Sequence, residues 1–326
     1  MKKELLDNLR CPLTHKRLRL ENPVEQDGEI ESGLLTTEGG AQYQVLHGVP
    51  RFVPKENYAS SFGFQWNKFC KTQLDSHTGV PVSSDRFYRS TEWSPDILKG
   101  KKVLEVGCGA GRFTEILLAA GAIVTALDYS SAVDACWKNH YLHPNLNVIQ
   151  GDIYNLPFQE ETFDFVFCFG VLQHTPDVKK AFMSLVPQLK KGGRLAVDVY
   201  RKSWRVIFNS KYWIRPFACR VEPARLFERV EKWVPMLLPI SIFIGSIPFI
   251  GRKARQLIPV ANYKGILPLT NIQIREWAIL DTFDMLSPRY DQPQSASTLL
   301  SWFMEAEMAD IKVFHPEPLV GQGRKA

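Results

Sequence analysis

The sequence predicts an α/β protein in which a mostly parallel sheet is doubly wound, with helices on both faces. Three observations lead there. A glycine-rich turn joins a short apolar strand to a helix, later strands end in acidic residues, and strands alternate with helices over about 100 residues. The predicted strands are 103–106, 122–127, 146–149, 163–169 and 194–200. The predicted helices between them are 112–120, 132–139 and 178–189. Ligands of such sheets bind at the carboxyl ends of the strands.

The turn at 107–111 has the pattern Gly-Cys-Gly-Ala-Gly and indicates a nucleotide site. Glycines let the backbone approach a ligand closely, and the helix that follows offers unpaired N–H groups. A dinucleotide-binding fingerprint needs its third glycine where Arg112 stands. Glu105 would repel a pyrophosphate and suits a ligand with a cationic amino group, such as S-adenosylmethionine (SAM). The residues predicted to contact SAM here are Glu105, Gly107, Cys108, Gly109 and Gly111.

Acidic residues also follow the next two strands, at the edge of the sheet where a cofactor is expected. Asp128 comes 21 residues after Gly107, and a carboxylate there can accept hydrogen bonds from both ribose hydroxyls. Asp152 follows the third strand and is expected to accept a hydrogen bond from the adenine amino group. The further residues predicted to bind the cofactor at strand ends are Asp128, Tyr129, Asp152, Ile153 and Phe169.

Five segments in order resemble the successive motifs of class I SAM-dependent methyltransferases. They are 103–112, 127–130, 151–158, 163–177 and 190–200. Residues 295–326, where a helix precedes an apparent strand pair, resemble the closing antiparallel strands of that fold. The resemblance implies a seven-stranded Rossmann-like sheet, SAM as the cofactor and methyl transfer as the reaction. The alternative is an α/β core whose glycines only make turns.

The 326 residues exceed one typical domain, and we expect additions around this core. A small β-rich arm comes first, then a helical cap, and a helical insertion follows strand five. The predicted regions are an arm at 1–54, a cap at 55–100, the SAM-binding core at 101–200, the insertion at 201–294 and the closing elements at 295–326.

The arm resembles a zinc-ribbon-like domain, relatives of which activate some methyltransferases as a separate subunit. The zinc-binding form has two Cys-x-x-Cys pairs, whereas here Thr14 stands where the second cysteine of the first pair belongs. Cys11 has no cysteine partner before Cys70, and one thiolate does not complete a tetrahedral site even with a nearby histidine. We therefore predict an arm without metal.

The cysteines and the start of the chain bear on the cellular compartment. The six cysteines are scattered and form no Cys-x-x-Cys pair, which favours reduced thiols. The charged residues 2–4 lack the apolar stretch of a signal peptide. We expect a cytoplasmic protein, with possible contact to a membrane surface; the sequence leaves the oligomeric state open.

The insertion combines strong positive charge with a long apolar run. Residues 201–260 contain twelve Lys or Arg and three Glu, against a net charge of +6 for the whole chain. Residues 233–251 carry no charge and include three prolines, which argue against a straight membrane-spanning helix. The alternatives are a lid or wall of the substrate pocket and a peripheral membrane contact through 201–260. Nucleic acid is disfavoured, because the apolar run is continuous instead of interleaved with basic residues.

Two aromatic segments are candidates for the walls of the site. Residues 58–69, with Gln65 and Trp66, either cover the cofactor or pack the arm onto the core. Residues 277–291 resemble segments that line the acceptor pocket of methyltransferases, although they could equally tie the insertion to the core. A short helix followed by an ordered loop is expected there.

The predicted catalytic residue is His174, just past the carboxyl end of strand four. Its ordinary pKa suits removal of a proton from an alcohol at neutral pH, and Asp177 is a candidate to orient it. A structural histidine is the alternative. His140 and His143 are read as surface residues.

The predicted function is SAM-dependent methylation by in-line displacement. We expect an oxygen acceptor on a small, sugar or lipid-linked molecule. The alternatives are an RNA methyltransferase and a non-catalytic SAM-binding scaffold.

Overall fold

The computed structural model describes residues 1–54, 57–203, 209–314 and 318–326, with Arg252 described by its backbone alone. Within these residues one sheet of eleven strands runs through the molecule in the order β1-β2-β3-β4-β7-β6-β5-β8-β9-β11-β10. The strands are β1 (Arg19–Gln26), β2 (Glu29–Thr36), β3 (Gln42–Leu46), β4 (Val49–Arg51), β5 (Lys102–Val106), β6 (Ile123–Asp128), β7 (Leu146–Gln150), β8 (Phe163–Cys168), β9 (Leu189–Val199), β10 (Met308–Phe314) and β11 (Leu319–Lys325).

Helices cover both faces of this sheet and form the additions around it. They are α1 (Leu5–Asn8), α2 (Ser60–Lys68), α3 (Asp75–Thr78), α4 (Val82–Thr91), α5 (Pro95–Leu98), α6 (Arg112–Ala119), α7 (Val133–His140), α8 (Val178–Met183), α9 (Lys211–Ala218), α10 (Pro223–Gly245), α11 (Gly251–Ala254), α12 (Asn271–Leu286) and α13 (Ala296–Glu305).

The centre of the sheet is the doubly wound core that the sequence predicts. Strands β7, β6, β5, β8 and β9 are parallel, and the order reverses between β5 and β8. Strand β11 pairs antiparallel with β9, and β10 pairs antiparallel with β11. The fold class is confirmed. The reversal leaves a crevice at the carboxyl ends of β5 and β8, where such sheets bind ligands.

The predicted count of seven strands is wrong for the described sheet, because the arm continues it. Strand β4 pairs in parallel with β7 at Arg51 and Gln150, and β1 to β3 extend the sheet as antiparallel neighbours. Without β4, the N–H and C=O groups along the outer side of β7 would lack sheet partners. The arm satisfies that edge.

Two boundaries also differ from the sequence predictions. Helix α8 ends at Met183 and not at residue 189, and a 3-10 turn, Val186–Gln188, follows it. Pro187 explains the difference, because in a continued α-helix its ring would clash with the carbonyl of Met183. Strand β9 begins at Leu189, five residues before the predicted start at residue 194.

The arm shares the hydrophobic core of the sheet. Leu9 is fully buried and forms an isolated bridge with Phe158, and the Arg10 N–H donates to the Pro157 carbonyl at 2.9 Å. Leu9 and Leu35 of the arm belong to the same buried cluster as residues of β5 and β7. The arm is therefore built into the packing of the core.

The insertion has a hydrophobic core of its own, formed by α9, α10 and α12. Helix α2 joins it, since the ring of Phe64 lies 5.6 Å from that of Phe227 and 5.9 Å from that of Phe283. Helix α10 continues through Pro235 and Pro239. None of the helices in the described residues is long and apolar enough to cross a membrane.

We expect Leu9→Ala to lower the free energy of unfolding by about 2–5 kcal/mol, the usual loss for a buried leucine. No tryptophan lies in residues 1–54, so urea unfolding followed by tryptophan fluorescence reports on the rest of the chain. The exposed Leu13 is the control, and Leu13→Ala should leave the midpoint nearly unchanged. If Leu9→Ala left the midpoint of the fluorescence transition unchanged, the arm would unfold separately from the rest of the chain.

Candidate active site

A cavity of about 910 Å³ lies at the carboxyl ends of the parallel strands. Its walls come from the ends of β5, β6 and β8, from the residues after β7, and from α2 and α12. The predicted site residues on its wall are Gly107, Cys108, Gly109, Asp128, Tyr129, Ile153, Phe169 and His174. The fold thus brings most of the predicted residues together in one place.

The glycine turn requires glycine for two different reasons. Gly107 has φ +83°, and a Cβ there would lie 2.0 Å from Cγ2 of Val171. Gly111 has φ +90°, and a Cβ there would lie 2.6 Å from the ring of His140. His140 itself donates from Nε2 to the Gly111 carbonyl at 3.0 Å. The prediction that His140 is a surface residue is wrong, because its half-buried ring supports the turn.

Asp128 connects the ends of two strands and faces the cavity. One carboxylate oxygen accepts from the Ser130 N–H at 2.8 Å and the Ser130 hydroxyl at 2.7 Å, and the other accepts from the Gly109 N–H at 3.0 Å. Burial raises the pKa of Asp128, while these three donors oppose that rise. A carboxylate has about four acceptor positions. Asp128 therefore retains capacity for about one further hydrogen bond, from a ligand hydroxyl.

Aromatic and backbone surfaces complete the cofactor side of the cavity. The ring of Tyr129 stacks on that of Tyr58 with centroids 4.8 Å apart. Trp66 of α2 packs against Gly109, where an added Cβ would come within 3.2 Å of its ring. Burial raises the pKa of the Cys108 thiol well above its ordinary value, so the thiol is held neutral. The α2 segment therefore covers the glycine turn.

Three predicted cofactor contacts lie off the cavity wall. Glu105 is buried, and its carboxylate accepts from the Thr114 hydroxyl at 2.6 Å; burial raises its pKa to about 8. Asp152 caps the 3-10 turn after β7 and accepts from the Tyr154 N–H at 2.9 Å. Gly111 faces His140. In this geometry none of the three residues lines the cavity, and their contact with the cofactor stays a prediction.

His174 lies on the acceptor side of the cavity. Its Nδ1 is 2.9 Å from the Tyr290 carbonyl oxygen, which can only accept, so Nδ1 carries the hydrogen and Nε2 keeps its lone pair. The rings of Phe62 and Tyr200 lie 5.2 and 5.4 Å from the imidazole. Burial lowers the pKa of His174. At neutral pH the imidazole is therefore an uncharged acceptor at Nε2.

Asp177 does not orient His174, contrary to the sequence prediction. Its carboxylate caps α8 by accepting from the Lys180 N–H at 2.9 Å. An Asp at this first position satisfies a helix donor that would otherwise be unpaired. The Tyr290 carbonyl, from the loop after α12, takes the orienting role.

A polar group that the sequence analysis missed lies against α12. Arg112 donates from Nε to Ser83 Oγ at 2.8 Å and from Nη1 to Gln73 Oε1 at 2.9 Å. Its guanidinium lies 5.0 Å from the Phe113 ring centroid and 5.7 Å from that of Trp277. Within the described residues no carboxylate comes within 4.0 Å of it, and burial lowers its pKa to about 9. The cavity wall therefore contains a cation without a direct ion pair.

Asp281 and Tyr263 lie on the same wall and share a short hydrogen bond, with the phenol donating to the carboxylate. Burial raises the pKa of Asp281 to about 7. Four residues of the segment 277–291 line the cavity: Trp277, Asp281, Asp284 and Met285. The segment also docks the insertion, since Trp277 Nε1 donates to the Thr72 carbonyl at 2.9 Å. Gln65 is fully buried and donates to Asp284 at 3.2 Å. The segment is both pocket wall and anchor.

The chain was compared with known proteins. Residues 104–197 match the family model described as a methyltransferase domain. Residues 104–197 of this chain therefore form a methyltransferase domain. A ubiquinone biosynthesis O-methyltransferase of Coxiella burnetii (strain Dugway 5J108-111) is 36% identical over 110 residues, 33% of this chain and 47% of that protein. The namesake from Pasteurella multocida (strain Pm70) is 31% identical over 134 residues, 36% and 55% of the two chains.

The chain spans about half the length of the curated relatives it matches. Among solved structures, it is similar to magnesium protoporphyrin IX methyltransferase from Synechocystis PCC 6803 with bound SAH, at a TM-score of 0.44 and 15% identity. That alignment covers 82% of this chain and 97% of the other.

The residues present fit SAM. The turn at 107–110 leaves its backbone open to the cavity, and any side chain at Gly107 would collide with Val171. Asp128 lies on the same wall with a free acceptor position, and Tyr129, Ile153 and Phe169 line the cavity beside it; their contacts with ribose and base stay predictions. SAM supplies a methyl group already activated on a sulfonium.

We expect Asp128→Asn to weaken S-adenosylhomocysteine binding by about 1.5–3 kcal/mol, because a charge-assisted hydrogen bond is lost while the shape is kept. Titration calorimetry measures it. Asp134→Asn, at an exposed carboxylate on α7 outside the cavity, is the matched control and should bind like wild type. Equal affinity of both variants would remove Asp128 from the cofactor site.

Proposed function

We propose that this protein is a SAM-dependent O-methyltransferase in which His174 removes the proton of the acceptor hydroxyl. The observation that carries the proposal is the hydrogen bond between His174 Nδ1 and the Tyr290 carbonyl, which leaves a basic Nε2. His174 shares one cavity with Asp128 and the glycine turn. A base and a cofactor site in one cavity are what methyl transfer to an alcohol needs.

Methyl transfer requires three things of the protein: it must align the acceptor oxygen with the methyl group, remove the hydroxyl proton and exclude water. Transfer from a sulfonium is an in-line displacement with a neutral leaving group, so holding the acceptor oxygen in line is the main requirement. His174 accepts the hydroxyl proton as the oxygen attacks. Phe62 and Tyr200, whose rings lie next to the imidazole, supply apolar surface that keeps water away.

The walls on the acceptor side favour a ring-bearing hydroxyl compound. Aromatic side chains predominate there, together with one carboxylate and one thioether: Phe62, Tyr200, Tyr212, Tyr263, Trp277, Asp281 and Met285. Such a wall suits the faces of a ring and a small number of hydrogen-bonding substituents. Relatives matched over the core are named ubiquinone biosynthesis O-methyltransferases, which supports an oxygen acceptor. A small phenol, a sugar and a lipid-linked ring all meet this description.

We expect His174→Ala to lower the rate of methyl transfer by about 10²–10⁴-fold while S-adenosylhomocysteine affinity stays near wild type. Initial rates with tritiated SAM and extract of the source organism measure methyl transfer. Calorimetry measures the affinity for S-adenosylhomocysteine. His143→Ala, at a half-exposed histidine outside the cavity, is the control. If weaker cofactor binding accounted for the whole loss of methyl-transfer rate in His174→Ala, His174 would have a structural role and not a catalytic one.

The rate should also depend on pH in a defined direction. Burial lowers the pKa of His174, so its neutral form persists below pH 6.5, where an exposed histidine would be protonated. We expect the acid limb of the rate profile to have its midpoint below pH 6.5 and to be absent in His174→Ala. A wild-type midpoint above 6.5 would contradict a buried base.

The chemical form of the label tests the acceptor atom. We expect tritium to enter an organic-soluble fraction as a methyl ether that resists mild alkali. Release of the label as methanol by mild alkali would indicate a methyl ester, and label in RNA or protein would contradict the proposal.

A further inference from the structure

The outward face of α10 ends in an uncovered apolar surface. Three exposed residues lie along it at spacings of four and three, Met236, Ile240 and Phe243, and the exposed Ile247 follows just after the helix ends. The opposite face, with Val230, Val234 and Leu238, is buried in the core of the insertion. At 3.6 residues per turn the three exposed helix residues form one stripe on the side of the helix away from the protein. Large exposed apolar patches usually mark an interaction site.

The turn after α10 extends this stripe into a protruding end. Phe249 is fully exposed and Ile250 is 66% exposed. Phe249 has φ +64°, a left-handed conformation that is rare for a bulky side chain. A strained backbone that holds an aromatic ring in solvent points to use of that ring. The six residues named in these two paragraphs, Met236, Ile240, Phe243, Ile247, Phe249 and Ile250, are called the apolar tip below.

Basic residues precede and follow the apolar tip along the chain, and Glu228 and Glu231 are exposed on the same part of α10. One to three turns earlier on the same outward face of α10 lie Arg225, Arg229 and Lys232, all exposed. The sequence contains no Asp or Glu from residue 232 to residue 275, whereas Lys253 follows the tip and is exposed. An apolar surface edged by cations is complementary to a bilayer with anionic headgroups, since the side chains enter the acyl region and the cations meet the phosphates.

The chain that leaves the tip leads back to the active site. Asn262 donates to Ser241 of α10 at 3.2 Å, which holds the returning segment against the helix. Shortly afterwards Ile266, Leu267 and Pro268 line the cavity, and Ile266 is also exposed. One short segment therefore joins the apolar tip to the wall of the acceptor cavity.

We propose that the apolar tip and the cations beside it dock this protein on an anionic membrane surface, where it receives a lipid-linked acceptor. The docking stands on the exposed side chains and the charge pattern alone. The proposal of a lipid-linked acceptor rests in addition on the proposed O-methyltransferase function. Of the three acceptors that fit the cavity, docking on a membrane favours the lipid-linked ring.

The test is co-sedimentation of the full chain with vesicles of phosphatidylcholine alone and of phosphatidylcholine with phosphatidylglycerol. We expect binding to the mixed vesicles at low salt and weaker binding at high salt. The triple variant Phe243→Ser, Phe249→Ser and Ile250→Ser should bind roughly a hundredfold less well, because three apolar side chains no longer enter the bilayer. Arg225→Gln with Arg229→Gln and Lys232→Gln should reduce binding to the mixed vesicles by roughly fivefold per charge.

The matched control removes exposed apolar side chains elsewhere. Leu13→Ser with Leu142→Ser should bind like wild type, because neither residue lies near the tip in sequence and both are about as exposed as Phe243. All the variants change exposed residues, so thermal unfolding should stay close to wild type and show that they fold.

Three results would overturn the docking proposal. In the first, wild type stays in the supernatant with both kinds of vesicle at low salt. In the second, the tip variant binds the mixed vesicles as tightly as wild type does. In the third, light scattering would show a dimer for wild type and a monomer for the tip variant, and neither protein would bind vesicles. The apolar tip would then contact a second copy of the chain. Vesicle binding without methyl transfer would leave docking standing and reject the proposed function, whereas transfer to a water-soluble acceptor alone would reject the acceptor class.

Discussion

The hydrogen bond from the Gly109 N–H to Asp128 is the interaction on which the geometry of the site depends. It joins the turn after β5 to the end of β6, and the other oxygen of the same carboxylate fixes the chain at Ser130. Helix α2 packs on both segments, with Trp66 against Gly109 and Gly63 against Ser131. The cap therefore takes its position from a turn that one buried carboxylate holds in place.

The core was predictable because each of its elements depends on neighbouring residues. Mostly apolar runs four to seven residues long, each followed within two residues by a glycine or an acid, mark β5 to β8, and the structure places them within one or two residues of the predicted bounds. The joining of the arm was not predictable in this way. Strand β4 has three residues, and its contact with β7 brings together residues 51 and 150. No local pattern carries information about a pairing across such a distance.

The same distinction divides the site. Asp128, Tyr129 and His174 could be found because they lie at or within six residues of strand ends, and the ends of parallel strands meet at one edge. The surroundings of Arg112 could not, because Trp277 and Asp281 reach it from a helix far along the chain. Glu105 is the converse case. Its position in the motif was clear, but only the structure shows its carboxylate directed at Thr114 and away from the cavity.

The bond between His174 and the Tyr290 carbonyl has a consequence for how such enzymes diversify. His174 belongs to the core, but the atom that decides which of its nitrogens carries the proton belongs to the loop after α12, at the far end of the insertion. A different insertion grafted onto the same core would leave the cofactor side intact and the imidazole free to adopt either tautomer. Under the proposed function, acceptor choice and proton transfer are therefore inherited together, because an exchange of the insertion would also remove the carbonyl that orients His174.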